Sequence, residues 1–251
     1  MAMMKGTSLL VPSVQELAKQ AITKVPERYV HPNQDPIVAS NTNNSLPQVP
    51  VIDLSKLLSD DATELENLDH ACRDWGFFQL INHKVNPSIV ENMKIGVEQF
   101  FNLPIEEKKK FWQTPNDMQG FGQLFVVSDE QKLEWADMFY INTFPLYSRH
   151  PHLIPTIPLP FRTDLIVEFK IILTNGIYRS IEHRATINSK NERISIATFH
   201  RPQMSRHIGP TPTLITVERP ALFKTIGVAD YLNGFMLRKL HGKSYIDVVK
   251  I

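Results

Sequence analysis

Apolar residues recur along the first hundred positions mostly at helical spacing, broken by two short strand-like runs. Val14, Leu17, Ala18, Ala21, Ile22 and Val25 follow Ser13 at a 3.6-residue period, and Glu16 completes a capping-box signature with that serine. The spacing predicts an amphipathic helix from Ser13 to Val25, stopped by Pro26, after a loose leader. From Pro32 to Pro50 the chain is rich in Asn, Ser and Pro and lacks a period, which predicts an exposed connection. Val49 to Asp53 predicts a strand, at an edge because Pro50 cannot donate to a ladder. Leu65, Leu68, Ala71, Cys72 and Trp75 mark one stripe of a helix over about 62–75, and Gly76 ends it. Phe77 to Ile81 then reads as a buried strand. Pro87 suits the first turn of a helix reaching Phe101, with Ile89, Met93, Val97, Phe100 and Phe101 on its buried face. A short helix after Pro104 carries the charge run Glu106 to Lys110, which predicts a solvated face.

The pattern changes after Thr114. Gly120-Phe121-Gly122 and the stretch to Pro145 read as strand-like, and Arg149 to Pro160 holds prolines with no helical period. Ile171-Ile172-Leu173 leads into Asn175-Gly176, a pair that predicts a hairpin turn because both positions tolerate positive φ. Arg193 to Phe199 alternates, so a strand there sets Arg193, Ser195, Ala197 and Phe199 on one face. A last helix is predicted near Val228 to Leu240. Helices first and strands later predict an α+β fold rather than alternating β-α units.

Composition narrows the class. Hydrophobic residues make up 42% and charged residues 21%, which fits a globular chain. Twenty-seven Lys+Arg against 26 Asp+Glu leave a net charge of +1, giving no electrostatic reason to expect a nucleic-acid or membrane-surface partner. Cys72 is the single cysteine, which rules out an intramolecular disulfide and a C-x-x-C site. No apolar run approaches a membrane span or a signal-peptide core, so the expected location is the cytoplasm.

The chemistry rests on few residues. A non-haem iron oxygenase needs two His and one carboxylate on one face of the metal, often with His and acid two positions apart at a strand end. None of the nine histidines has an acidic residue two positions on. H-E-x-x-H, G-x-S-x-G, P-loop and G-x-G-x-x-G signatures are also absent from the sequence. One constellation survives. His183 follows the Asn175-Gly176 turn, and Arg193 and Ser195 share a strand face, where a guanidinium fork and a hydroxyl suit a carboxylate. An edge strand whose arginine simply reaches solvent explains the same spacing.

Several blocks resemble the plant iron(II)/2-oxoglutarate-dependent oxygenase superfamily, within its subgroup of SRG1-like proteins, norcoclaurine-synthase-like proteins and alkaloid O-demethylases. They include Val11 to Leu17, Pro50 to Leu54, Ala71 to His83, Phe100 to Pro104, Gly120 to Gln123, Trp135-Ala136-Asp137, Thr174 to Ala185 and Glu192 to Phe199. The resemblance implies iron(II) and 2-oxoglutarate as cofactors, with ascorbate as an accessory reductant it allows. It also implies a small aromatic plant metabolite as substrate, hydroxylated or O-demethylated while 2-oxoglutarate is decarboxylated to succinate. It casts His183 as a metal ligand, and Arg193 with Ser195 as the clamp on the 2-oxoglutarate carboxylate. His83 falls in a structural block, where Lys84 replaces a usual glycine at a cost wherever positive φ is needed.

One departure matters. Relative to the family pattern, Glu168-Phe169-Lys170 runs directly into Ile171-Ile172-Leu173, skipping on the order of a hundred residues, the size of several strands of a double sheet. The other metal His and the metal Asp would lie there. The expected architecture is therefore α+β: a leader with an amphipathic helix over 1–48, an N-terminal dioxygenase region over 49–165, and a truncated double-stranded β-helix (jelly-roll) remnant over 166–251. Such a chain is expected to be catalytically defective. The alternative is a non-enzymatic truncated product that acts by binding or decoying a protein partner.

Overall fold

The structure is a computed structural model that describes residues 8–20, 22–31, 48–114, 117–123, 126, 128–143, 145–153, 167–181, 187–188, 191–236 and 242–251. Along the chain the α-helices are α1 Val14–Ala18, α2 Leu54–Leu57, α3 Ala62–His70, α4 Pro87–Phe101, α5 Ile105–Lys108, α6 Val167–Leu173 and α7 Val228–Met236. The strands are β1 Val51–Asp53, β2 Gln79–Ile81, β3 Gly120–Gly122, β4 Met138–Tyr140, β5 His207–Ile208 and β6 Ile226–Gly227. Among the described residues they make three two-stranded sheets: β1 with β2 in parallel, β3 with β4 and β5 with β6 antiparallel. Contacts divide the chain into one unit of Met1–Val38, Pro87–Leu159 and Met236–Leu240, and a second of Ala39–Asn86, Pro160–Phe235 and His241–Ile251.

In the first unit α4 spans the predicted residues and buries Met93 and Phe100. The Phe100 ring meets Phe101, Phe111, Phe121 and Phe139 edge-on, with Phe139 at 4.6 Å between centroids. Ser13 caps α1 as predicted, its side chain accepting from the Glu16 amide, but the helix ends at Ala18 rather than Val25. Glu16 does not close the capping box; it pairs with Lys19. Ile22 and Val25 stay exposed among the described residues, and a short helix without packing does not propagate. The charge run departs from its predicted solvated face. Lys108 is 1% exposed, and its Nζ donates to Gln15 Oε1 at 2.7 Å and to the Phe101 carbonyl at 3.0 Å.

In the second unit Asp53 ends β1 and caps α2, accepting from the Ser55 amide at 2.8 Å, while Glu64 accepts from the Asp53 amide. Asp61 caps α3 by accepting from Glu64 N at 3.0 Å. A π-helical turn, Ala71–Trp75, continues α3 and stops at Gly76, whose φ is +76°. A Cβ at Gly76 would lie 2.7 Å from the Arg179 carbonyl, so glycine is required there on two counts. The predicted buried strand 77–81 is instead short and exposed, because β2 pairs only with β1 among the described residues.

The predicted hairpin at Asn175-Gly176 is overturned. Ile171 to Leu173 belong to α6, and the two residues form its C-terminal turn, with φ of 49° and 79°. Gly176 N donates to Ile171 O at 2.8 Å and Asn175 N to Ile172 O at 3.1 Å. A left-handed pair serves a helix terminus as well as a hairpin, and the helix preceding it decides. Phe169 and Ile172 on α6 are both 0% exposed. The predicted strand 193–199 has no strand assignment in the structure, and no described strand lies against it. Most of α7 falls where predicted; the expected end at Leu240 and the connection 32–47 lie outside the described residues.

Lys84 stands at φ 58° with its side chain exposed, so the Cβ penalty expected of that position applies. Lys84→Gly is expected to stabilise the chain by about 0.5–1 kcal/mol, read as a higher urea midpoint. A lower midpoint would contradict that reading of the turn.

Candidate functional site

Of the three residues singled out from the sequence, Arg193 and Ser195 are described and both are exposed. His183 lies outside the described residues. Several other described histidines have local roles. The His31 ring lies 3.1 Å from the Leu133 carbonyl, and His83 Nδ1 accepts from the Val85 amide at 3.1 Å, in keeping with the structural part expected of His83. His70 faces Asp74 at 3.7 Å, and His150 Nδ1 lies 3.0 Å from Asp117 Oδ2 with the His152 ring stacked beside it. His200 Nε2 is buried with no hydrogen-bond partner among the described residues. Among the described residues no three His, Cys, Asp or Glu side chains converge as a metal requires.

A polar cluster in the second unit gathers around Lys170 on α6. Lys170 Nζ donates to the Gly76 carbonyl at 2.8 Å, and Arg179 N donates to the Cys72 carbonyl at 3.1 Å. Tyr178 Oη donates to Asp69 Oδ1 at 3.0 Å while Arg73 Nε donates to Asp69 Oδ2 at 2.6 Å. The hydrogen bond from Arg73 holds the Asp69 carboxyl below its ordinary pKa. Burial pushes the Tyr178 phenol up, and the bond to Asp69 adds to it. Burial also pushes the Lys170 ammonium down and the Cys72 thiol up, which makes Cys72 a poor nucleophile. The cluster fastens the chain after α6 onto α3 and its π-helical turn. It is structural chemistry. Next to it a shallow depression of about 340 Å³ is lined by Val51, Ile52, Asn67, His70, Asp74 and Trp75, and includes neither Arg193 nor Ser195.

Sequence reasoning missed two structural anchors in the first unit. Asp137 accepts from Ser13 Oγ at 2.6 Å, Val14 N at 2.9 Å and Gln15 N at 3.2 Å, so it serves the start of α1 from far along the chain. No local signal announces it. Lys108 did have one: it shares a helical stripe with Phe101, Ile105 and Trp112.

The family described as non-haem dioxygenase in morphine synthesis, N-terminal, matches residues 49–157, and the 2OG-Fe(II) oxygenase superfamily matches 154–202. Protein SRG1 of Arabidopsis thaliana is 34% identical, covering 98% of this chain and 98% of that protein. The oxoglutarate-dependent flavonoid 7-O-demethylase 1 of Ocimum basilicum is 36% identical over 98% of this chain and 92% of its own. S-norcoclaurine synthase 1 of Coptis japonica is 34% identical over 98% of each. The crystal structure of JOX2 in complex with 2OG, Fe and JA shares the fold at a TM-score of 0.79 and 20% identity, over 96% of this chain and 98% of that one. The chain belongs to the plant 2-oxoglutarate- and iron(II)-dependent oxygenase superfamily.

Iron as the family holds it does not fit the residues of this chain. No histidine is followed by an acid two positions on, and Arg193 and Ser195 are open to solvent rather than lining an enclosed cavity. Among the described residues no helix is long and apolar enough to cross a membrane.

Proposed function

We propose that this chain is an oxygenase-family protein short of an internal segment between Lys170 and Ile171, and that as written it turns over no 2-oxoglutarate. The observation that carries the reading is the histidine census: nine imidazoles, none with a carboxylate two residues on. The alignment with Protein SRG1 adds support, since it runs over 349 positions while this chain has 251 residues. In this reading His183 is the one remaining metal ligand, and Arg193 with Ser195 is the remnant of the carboxylate clamp. Residues 166–251 are what is left of a jelly roll, following a leader over 1–48 and a dioxygenase region over 49–165. One ligand out of three forfeits most metal affinity, because affinity follows ligand count and geometry.

The relatives' names, demethylases of a flavonoid and of codeine and a norcoclaurine synthase, point to small aromatic molecules as the substrate class of the restored enzyme. The helix after Ser13 would cover the mouth of its pocket. A second reading has one observation in its favour. Helix α6 crosses the Lys170–Ile171 junction unbroken and is buried there, as suits a product that folds without the segment and acts, if at all, by binding a partner.

The test is succinate formation by purified, iron-loaded protein given 2-oxoglutarate, ascorbate and air. The expected yield equals the metal-free blank. Succinate stoichiometric with protein contradicts the proposal. Transcript reads across the codons for Lys170 and Ile171 then separate the two readings: gapless reads support a genuine short product, and reads carrying an H-x-D insert restore the enzyme.

A further inference from the structure

Helix α3 and its π-helical turn carry two polar stripes with different fates. On one, Arg73 Nε donates to Asp69 Oδ2 at 2.6 Å and Tyr178 Oη to Asp69 Oδ1 at 3.0 Å, so the charges are paired within the fold. The other stripe holds Asn67, His70 and Asp74, spaced i, i+3 and i+7. The π turn is closed by Gly76 N donating to Ala71 O at 2.8 Å, and it takes more residues per turn than an α-helix. It therefore carries Trp75 round toward the second stripe, where α spacing would leave it a step further around the helix. Single π turns of this kind are frequent at functional sites. Asn67, His70, Asp74 and Trp75 line one depression of about 340 Å³, which Val51 and Ile52 of β1 complete on its apolar side. That volume is at the small end of the range for ligand pockets, about 300–1,000 Å³.

The fold leaves the polar groups of this lining unspent. Among the described residues Asp74 accepts no hydrogen bond; His70 Nδ1 stands 3.7 Å from its carboxylate, beyond hydrogen-bond reach. Arg73, the neighbouring guanidinium, is committed to Asp69. Asn67 donates Nδ2 to Glu64 Oε2 at 3.3 Å, which leaves its Oδ1 as an acceptor. An indole beside a carboxylate without a lysine or arginine partner suits an organic cation: the ring quadrupole attracts the charge, and the carboxylate takes its N–H. An anion would be repelled by Asp74, and a neutral molecule would leave that carboxylate unmatched. We propose that the depression binds a small primary ammonium on an apolar body, the ammonium on Asp74 and the body against Trp75 and Val51. The site is built from residues 51–75 and uses none of His183, Arg193 and Ser195, so it can fail while the catalytic reading stands.

Phenethylammonium and its neutral isostere 2-phenylethanol are the probes, titrated into the full chain and followed by proton–nitrogen NMR correlation spectra. The Trp75 indole N–H, assigned by its loss in Trp75→Phe, and the Asn67 side-chain amide should shift and saturate with the ammonium. With the alcohol they should shift little. Asp74→Asn should weaken the ammonium about three- to fivefold, the scale of one exposed charge pair, with the rest of the spectrum in place. The comparison of the two probes on wild type needs no variant at all. Equal shifts from the alcohol, shifts that do not saturate or that miss Trp75, or an Asp74→Asn chain that binds the ammonium as wild type does would each overturn the proposal.

Discussion

Phe169→Ala is expected to cost about 3–5 kcal/mol of stability in the second unit, the range for deleting a fully buried aromatic side chain. Phe169 is 0% exposed on α6, and its ring lies 5.7 Å from that of Tyr231, which is itself 0% exposed. Truncation leaves a cavity that neither Tyr231 nor Ile172, another fully buried neighbour on α6, can fill without leaving its own packing. Unfolding in urea, followed by far-UV circular dichroism, reads the loss. A loss under about 1 kcal/mol, the level of a tolerated surface change, would mean that the junction helix is not packed as described. On the proposed reading the position matters, because Phe169 lies one residue before the gap proposed after Lys170.

Asp137→Ala is expected to cost about 1.5–3 kcal/mol in the first unit, the range for hydrogen bonds to a charged group. The carboxylate accepts from Ser13 Oγ and from the Val14 and Gln15 amides, donors that a helix start leaves without partners of its own. Asp137→Asn keeps one acceptor oxygen and should recover part of the loss. Hydrogen exchange gives a local readout: the Val14 and Gln15 amides should lose protection in Asp137→Ala while α4 keeps its own. Equal protection in wild type and variant would contradict the role assigned to Asp137.

How much the sequence disclosed varied with how local the deciding physics is. Helix α4 runs from Pro87 to Phe101 as its period and its leading proline predict, since both signals lie within the helix. The Ser13 cap and the stop at Gly76 were legible for the same reason. What lay out of reach depends on distant partners. The first helix is shorter than its apolar period, and Ile22 and Val25 stay exposed among the described residues. Asn175-Gly176 has the positive φ values a hairpin requires, yet it closes a helix, because dihedral preference does not say which element precedes the turn. Residues 193–199 carry a strand pattern, and a strand needs a neighbour that the described residues do not supply. For the candidate site, spacing put Arg193 and Ser195 on one predicted strand face and showed no His with an acid two positions on. That the pair faces solvent was not readable, because exposure depends on what packs around it.

On the proposed reading His183 alone cannot hold iron, and metal binding itself tests that reading most directly. An anaerobic titration of the full chain with iron(II) and excess 2-oxoglutarate should show no visible charge-transfer band beyond that of the small molecules alone. A band that saturates at one iron per chain, and that disappears in His183→Ala, would show that an intact centre survives in this protein.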